Sequence, residues 1–400
     1  MVPKKVLFCA TVISHLKAFH LPYLRWFQEQ GWEVHAATYG TEAVPYVDKQ
    51  FNIPIQRSPF KLDNWRAYRQ LKDIVRENNY EIIHCHTPMG GVLTRLAARQ
   101  ARRTGTRVLY TAHGFHFFKG ASFQNWLLYY PVEKYLSRYT DCLLTMNAED
   151  YNRALDHQFK AGAIAYVHGV GIDFDKYKPA HEQEKRQLRE MHGIDSDEFI
   201  MIYAAELSQR KNQAYLLEVV SLLRERIPRF RLLLAGQGAL EGQYREQVSR
   251  LGLENLVTFL GHRTDMDQIY ALADIAVSSS RQEGLPVNIM EAIATGLPVV
   301  ATDVRGNRDL VEPGTHGFLV GLDEPSIFAE RIWELFDNPQ LRADIRTNRD
   351  RLISLYSVSH VLGEVIPIYT DAARQWDIKE RNPGNKKDST YQYNEREIGK

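Results

Sequence analysis

Ser278-Ser279-Ser280-Arg281-Gln282-Glu283-Gly284-Leu285-Pro286-Val287-Asn288-Ile289-Met290-Glu291-Ala292 is the stretch on which the fold turns. It leaves the apolar run 275–279, which reads as a buried strand, and enters a segment of helical spacing. Gly284 lets the backbone come close to a ligand. Pro286 suits the first helical position, where a missing N–H does no harm. A helix opening there offers free N–H groups and a positive dipole end, both fitted to a diphosphate. Glu283 precedes the helix and Glu291 follows about two turns along it. One carboxylate can thus meet a hydroxyl beside the phosphates and the other a hydroxyl further off, and acceptance from vicinal hydroxyls is sugar and ribose chemistry.

Outward from this stretch, short apolar runs alternate with helical segments. Strands are expected at 6–11, 33–38, 82–86, 107–111, 142–145 and 163–167, with helices at 19–30, 65–77, 92–103, 125–137 and 148–157. The alternation restarts with strands at 199–205, 230–235, 257–260, 275–279 and 299–302. Strands of four to six apolar residues joined by helices imply parallel sheets covered on both faces. The fold class is α/β: two Rossmann-like doubly wound domains facing a central cleft, joined by a polar linker from Gly169 to His192. The boundaries expected are 1–170 for the first domain, 171–356 for the second, a helix at 357–374 packing back on the first, and a disordered polar tail at 377–400.

Composition bounds the rest. The chain has 400 residues, 44% hydrophobic and 25% charged, which suits two soluble domains. Its net charge of +1 hides an asymmetry: 21 Lys/Arg against 13 Asp/Glu through Val170, then 29 against 36. A basic first half can face something anionic, and Arg95, Arg99, Arg102, Arg103 and Arg107, with Arg66, Arg69, Lys72 and Arg76, could rest on anionic lipid headgroups. No nucleic-acid motif is present. Cys9, Cys85 and Cys142 each lie in a strand and form no CxxC pair, so they read as buried reduced thiols of a cytoplasmic protein. No run approaches the ~18 apolar residues of a bilayer span.

Glu283 and Glu291 reproduce the E-x7-E signature of the family 4 retaining glycosyltransferases, and the flanking words match too: Glu283-Gly284-Leu285-Pro286, Glu291-Ala292, Thr295-Gly296-Leu297-Pro298-Val299-Val300-Ala301-Thr302 and Gly306-Asn307. The chain resembles that family, of GT-B fold, to about Arg374, and is most similar to its bacterial exopolysaccharide and capsule branch. The resemblance implies that Glu283 binds donor-sugar hydroxyls, that Glu291 holds the ribose, and that Gly284, Leu285 and Pro286 lie near the sugar and diphosphate. Lys211, in Ala205-Glu206-Leu207-Ser208-Gln209-Arg210-Lys211-Asn212, matches the family lysine that neutralises the leaving phosphate. The family arginine falls on Glu206, and Arg210 could supply the missing charge. His113, in Tyr110-Thr111-Ala112-His113-Gly114-Phe115-His116, matches the cleft histidine near the anomeric carbon. Gly236-Gln237-Gly238 resembles the glycine turn against the nucleotide, and Gly261-His262-Arg263 reads equally as lying beside the base or as a surface turn.

Other positions stay open. Ser14-His15 stands where many members carry a Gly-Gly pair, so His15 could act there. His116 either lines the acceptor side or joins an aromatic cluster. His20 reads as a packed helix histidine, and His84 and His86 as structural, with no metal site and no cofactor. The resemblance implies a UDP-sugar donor, a lipid-linked or oligosaccharide acceptor, hexosyl or N-acetylhexosaminyl transfer, and a place on the inner face of the plasma membrane. The rivals are a UDP-sugar epimerase of the same fold, a phosphorylase, and a non-catalytic partner of another transferase.

Overall fold

The computed structural model describes residues 3–381 and forms two compact units, Met1–Gly171 with the segment from Val358, and Ile172–Ser357. The first unit runs β1 (Lys5–Val12), α1 (Ile13–Phe19), α2 (Leu21–Glu29), β2 (Glu33–Tyr39), β3 (Lys49–Asn52), α3 (Asp63–Asn78), β4 (Ile82–His86), α4 (Pro88–Ala97), α5 (Arg99–Thr104), β5 (Arg107–Ala112), α6 (Phe123–Ser137), β6 (Cys142–Thr145), α7 (Ala148–Asp156) and β7 (Ala163–Tyr166). Its parallel sheet has the order β3-β2-β1-β4-β5-β6-β7. All of β4 and the middle of β1 are buried, as strands covered on both faces must be.

The second unit runs α8 (Glu182–Met191), β8 (Phe199–Ala204), α9 (Gln213–Leu223), β9 (Phe230–Ala235), α10 (Glu241–Leu251), β10 (Val257–Gly261), α11 (Met266–Leu272), β11 (Ile275–Ser278), α12 (Val287–Ala294), β12 (Val299–Thr302), α13 (Asn307–Leu310), β13 (Gly317–Val320), α14 (Pro325–Asp337), α15 (Pro339–Thr347) and α16 (Asp350–Tyr356). Its order is β10-β9-β8-β11-β12-β13. Along β8 the side chains alternate between two cores: Met201 and Tyr203 join one, Ile200 and Ile202 the other. The last helix, α17 (Val358–Arg381), returns to the first unit.

Several boundaries differ from the sequence reading. The helix expected at 19–30 is α2, with Pro22 in its first turn, and a further helix, α1, precedes it, His20 sitting between the two with ψ near 0°. The helix expected at 92–103 begins earlier, at Pro88, and breaks at Ala98. The supposed linker holds α8, whose buried Arg189 donates to the Leu272, Ser196 and Glu198 carbonyls and to Asp274. The tail expected from 377 is helical to Arg381, and its remainder, 382–400, lies outside the described residues.

The basic run also resolves differently. Arg95 is fully buried, paired with Glu133 at 2.8 Å and stacked on Tyr110. Arg102 and Arg107 share Asp141 at 2.9 and 3.2 Å, and Arg76 meets Asp73 at 2.9 Å. Arg95, Arg102 and Arg107 thus answer buried or half-buried carboxylates, whereas Arg66, Arg69, Lys72, Arg76, Arg99 and Arg103 stay exposed. The three cysteines are buried and unbonded, and burial pushes the Cys9 and Cys142 thiols up to about 12. No helix among the described residues is long and apolar enough to cross a membrane.

Candidate active site

In each sheet the strand order reverses once at the centre, between β1 and β4 and between β8 and β11. Loops leaving the carboxyl ends of strands at such a point diverge and open a crevice. In each unit, taken by itself, chemistry-bearing residues lie on or beside these loops.

In the second unit, the loop after β8 carries Arg210 and Lys211, and the loop after β11 carries Glu283. The Lys211 ammonium lies 2.5 Å from one Glu283 oxygen, which also accepts from the Ser280 hydroxyl at 2.5 Å. The Arg210 guanidinium lies 3.5 Å from the other oxygen. Glu283 and Lys211 are both buried, while Arg210 is largely exposed. Burial alone would raise the Glu283 carboxyl; the charges of Lys211 and Arg210 and the Ser280 bond outweigh it and hold Glu283 below the ordinary carboxylate range. The carboxylate is therefore ionised and fixed at neutral pH.

The two loops are stitched together. Tyr203 donates to the Lys211 carbonyl at 3.0 Å and lies 2.8 Å from the Ser280 hydroxyl. Ser279 donates to the Lys211 and Asn212 carbonyls, and Arg281 N–H to the Arg210 carbonyl. Arg305 donates to the Glu283 carbonyl at 2.9 Å. Asn212 takes a left-handed φ of 56°, which Asn tolerates better than most residues.

Helix α12 starts at Val287, with Pro286 as the extended residue before it rather than the first helical one. The start of α13 presses on this turn: Gly306 has φ +80°, and a Cβ there would stand 2.4 Å from the Gly284 carbonyl. Glu291 keeps separate company from Glu283. It is half-buried against Tyr177 and Tyr270, and burial pushes its carboxyl up to about 7, with the two tyrosine hydroxyls opposing the rise. Gly236 (φ +143°) and Gly238 are required by packing: a Cβ at either would stand 2.0 Å or 2.2 Å from the Ala205 or Leu207 carbonyl. Arg263 is tied to Asp265. Glu206, at the family arginine's position, is exposed. A surface cavity of about 510 Å³ lined by Lys185, Asp274, Arg342 and Arg346 opens beside Asp274 and Pro298, at the amino ends of β11 and β12, away from these groups.

In the first unit, His15 on α1, His86 at the end of β4 and His113 just after β5 converge. His15 Nε2 is 3.1 Å from His113 Nε2, which is 3.4 Å from His86 Nδ1. His20, read from sequence as a packed histidine, lies against His86 with ring centroids 3.8 Å apart. His84 is structural, bonded to Tyr369 at 2.7 Å and Thr111 at 2.8 Å. Burial holds His15 down to about 4 and keeps His20, His86 and His113 well below the ordinary imidazole value. His116 stacks on Tyr129, with ring centroids 4.4 Å apart. Arg305, Tyr177 and Tyr270 escaped the sequence reading, since each reaches its partner from a segment whose spacing carries no motif, while Ser280 stood in the stretch 278–292 without a role and His20 was read as packed.

Two doubly wound parallel sheets in series, each with its polar groups at the switch point, define the GT-B class of glycosyltransferases. Residues 5–147 match the family described as Glycosyl transferase 4-like and residues 184–351 that described as Glycosyl transferases group 1; the chain belongs to this glycosyltransferase family. It is 48% identical, over 95% of its length and 99% of the relative's, to a Bacillus subtilis (strain 168) protein carried under the name glycosyltransferase EpsD. It is 27% identical, over 81% of its length and 84% of the relative's, to the UDP-Gal:alpha-D-GlcNAc-diphosphoundecaprenol alpha-1,3-galactosyltransferase of Escherichia coli. Among solved structures, HepE of Anabaena in complex with UDP and glucose superposes with a TM-score of 0.76 at 21% identity, covering 92% of this chain and 100% of that one. The chain is thus a glycosyltransferase of GT-B fold.

Proposed function

We propose that this enzyme transfers a hexose or N-acetylhexosamine from a UDP-sugar, with retention at the anomeric carbon, to a polyprenyl-diphosphate-linked glycan in exopolysaccharide or capsule synthesis. The observation that carries the donor half is the ionised Glu283 held between Lys211, Ser280 and Arg210 at the opening of α12. A diphosphate arriving there meets the α12 amides, and Lys211 and Arg210 can turn from Glu283 toward its charge. Arg210 then stands in for the arginine that Glu206 replaces, and no divalent ion is required at the phosphates. Glu283, released from part of its ion pair, accepts from donor-sugar hydroxyls, and Glu291 accepts from the ribose. Gly236, Gly238, Gly284, Leu285 and Pro286 shape the walls, and Arg263 flanks the base. The leaving phosphate takes the acceptor proton, so Glu283 binds rather than attacks. His113 supplies a neutral imidazole to the sugar, with His15 and His116 toward the acceptor.

Contact with the inner face of a membrane is part of the proposal, and α6 supports it. Phe123, Leu127, Leu128, Val132 and Tyr135 are exposed along this helix, while its Glu133 is buried against Arg95. A helix with apolar residues outside and a carboxylate inside is built for a surface other than water. Lys119 and Arg138 are exposed at its two ends, where headgroup phosphates would lie.

The donor reading is tested by thermal shift with UDP, ADP and GDP, followed by transfer assays on a lipid-linked acceptor. UDP should raise the unfolding midpoint and Lys211→Ala should abolish that rise. Glu283→Ala should stop transfer. A glycosyl adduct trapped on Glu283, or turnover intact in Glu283→Ala, would sink the mechanism. Conversion of the UDP-sugar to its epimer without acceptor would favour the isomerase reading, and UDP binding without turnover the non-catalytic one.

A further inference from the structure

Four histidines from three separate segments meet at the switch point of the first sheet, and their nitrogens are poorly provided for. His20 is buried with neither ring nitrogen hydrogen-bonded, and the fully buried His86 leaves Nε2 without a partner. An orphaned buried polar atom is costly, so three together call for an explanation. His84 shows what a structural histidine of the same strand looks like: both of its nitrogens are bonded. The pair His15 and His113 points Nε2 at Nε2 across 3.1 Å, an arrangement in which one ring must carry the proton and the other must not.

We propose that His15, His20, His86 and His113 form a binding site for a divalent transition-metal ion of the zinc class. Each ring offers one nitrogen, and the four atoms lie within 4.8 Å of one another. Two imidazole nitrogens each ~2.1 Å from a tetrahedral ion stand about 3.4 Å apart. The His15–His113 and His113–His86 separations of 3.1 and 3.4 Å match that spacing. The His86 atom so placed is Nδ1; the His20 and His86 rings lie 3.8 Å apart with planes tilted by 30°, so bringing both onto one ion needs them to splay.

The donor set selects the ion. It is all imidazole, with no carboxylate in the group, which suits zinc, cobalt, nickel or copper and not magnesium or calcium. His15 and His113 are half-exposed while His20 and His86 are buried, so an ion here sits at the mouth of the crevice with one side toward solvent. The proposal rests on the geometry of the four rings; His15 and His113 are the same imidazoles assigned above to sugar and acceptor, so an ion held by them would take up those nitrogens.

The test uses the full chain without a histidine tag. After dialysis against zinc and removal of free ion, the metal content should be one per chain. Cobalt(II) should give the visible d–d bands of a nitrogen-ligated tetrahedral or five-coordinate ion, and zinc should raise the unfolding midpoint where magnesium does not. His15→Gln with His113→Gln should abolish all three effects. Both positions are half-exposed, so the variant is expected to fold, and its midpoint without metal should stay near that of the parent. His360→Ala, in the separate His168, His360 and Glu364 cluster, should retain them. Zinc stoichiometry unchanged in His15→Gln/His113→Gln, loss of the ion in His360→Ala instead, or no binding by the parent chain would overturn the proposal.

Discussion

Glu291 is the residue whose environment works against the form its proposed task needs. Its carboxyl rises from 4.5 to about 7 because it is buried. Between those values the folded chain holds a proton that the unfolded chain has lost, so stability falls as pH rises through this window, by up to ~3 kcal/mol above pH 7. Glu291→Gln removes that penalty. The substitution should therefore raise the unfolding midpoint at pH 8 and change it little at pH 4.5, while weakening the thermal shift given by UDP. Unfolding scans at the two pH values check the first half, and the same scans with UDP check the second. Glu283 has the opposite sign. Its carboxyl is depressed, so its contribution is present above 4.5 and lost as acid takes the pH through the lower folded value. Glu283→Gln strands the buried Lys211 ammonium and should cost about 3–5 kcal/mol, read as a lowered denaturant midpoint at pH 7. Both carboxylates were legible in the sequence because eight-residue spacing along one loop and helix is local. Arg305 and the tyrosines beside Glu291 were not, because contacts between separate segments leave no spacing to read, and Ser280, three residues before Glu283 in the same loop, was not because a run of serines names no partner.

Elements repeat the lesson. Strands rich in apolar residues, such as β4 and β9, were found from the sequence, since burial on both faces writes itself into composition. The edge strands β3 and β13 were missed. One reads Lys49-Gln50-Phe51-Asn52, half exposed, and the other begins at Gly317, where a Cβ would stand 1.8 Å from the Val299 carbonyl, so a strand looks like a turn. The helix α6 was located but its inverted polarity was not, because Arg95, which draws Glu133 inward, lies 38 positions away. That inversion makes a prediction. Leu127→Glu with Leu128→Glu removes two exposed apolar side chains from the face proposed to meet lipid, and each full burial is worth about 1.5–3 kcal/mol. Flotation with anionic phospholipid vesicles should show binding weakened tenfold or more, and the unfolding midpoint should move little because neither residue is packed. Equal flotation of parent and variant would remove the membrane contact from the proposal.

At the scale of the whole molecule the two units differ in how the chain builds them. The second is one continuous segment whose ends meet: Ile172 bridges Ser357, and its N–H donates to the Tyr356 carbonyl at 2.8 Å. Its two cores draw every buried residue from within that segment. The first unit is split by the second in sequence and depends on α17, whose Tyr369 is buried, bonds His84 at 2.7 Å and meets Phe27 with ring centroids 4.7 Å apart. Residues 172–357 expressed alone should therefore fold cooperatively and keep the UDP-dependent thermal shift, since Lys211, Glu283 and Glu291 travel with them. Tyr369→Ala in the full chain should cost the first unit about 3–5 kcal/mol through the lost ring and the stranded His84 nitrogen. Followed by proteolysis or by amide exchange along the chain, that loss should open β4 and α2 while leaving protection in β8, β9 and β11 unchanged. A segment 172–357 that stays unfolded, or a Tyr369→Ala variant that melts both units together, would show that neither unit holds its structure without the other.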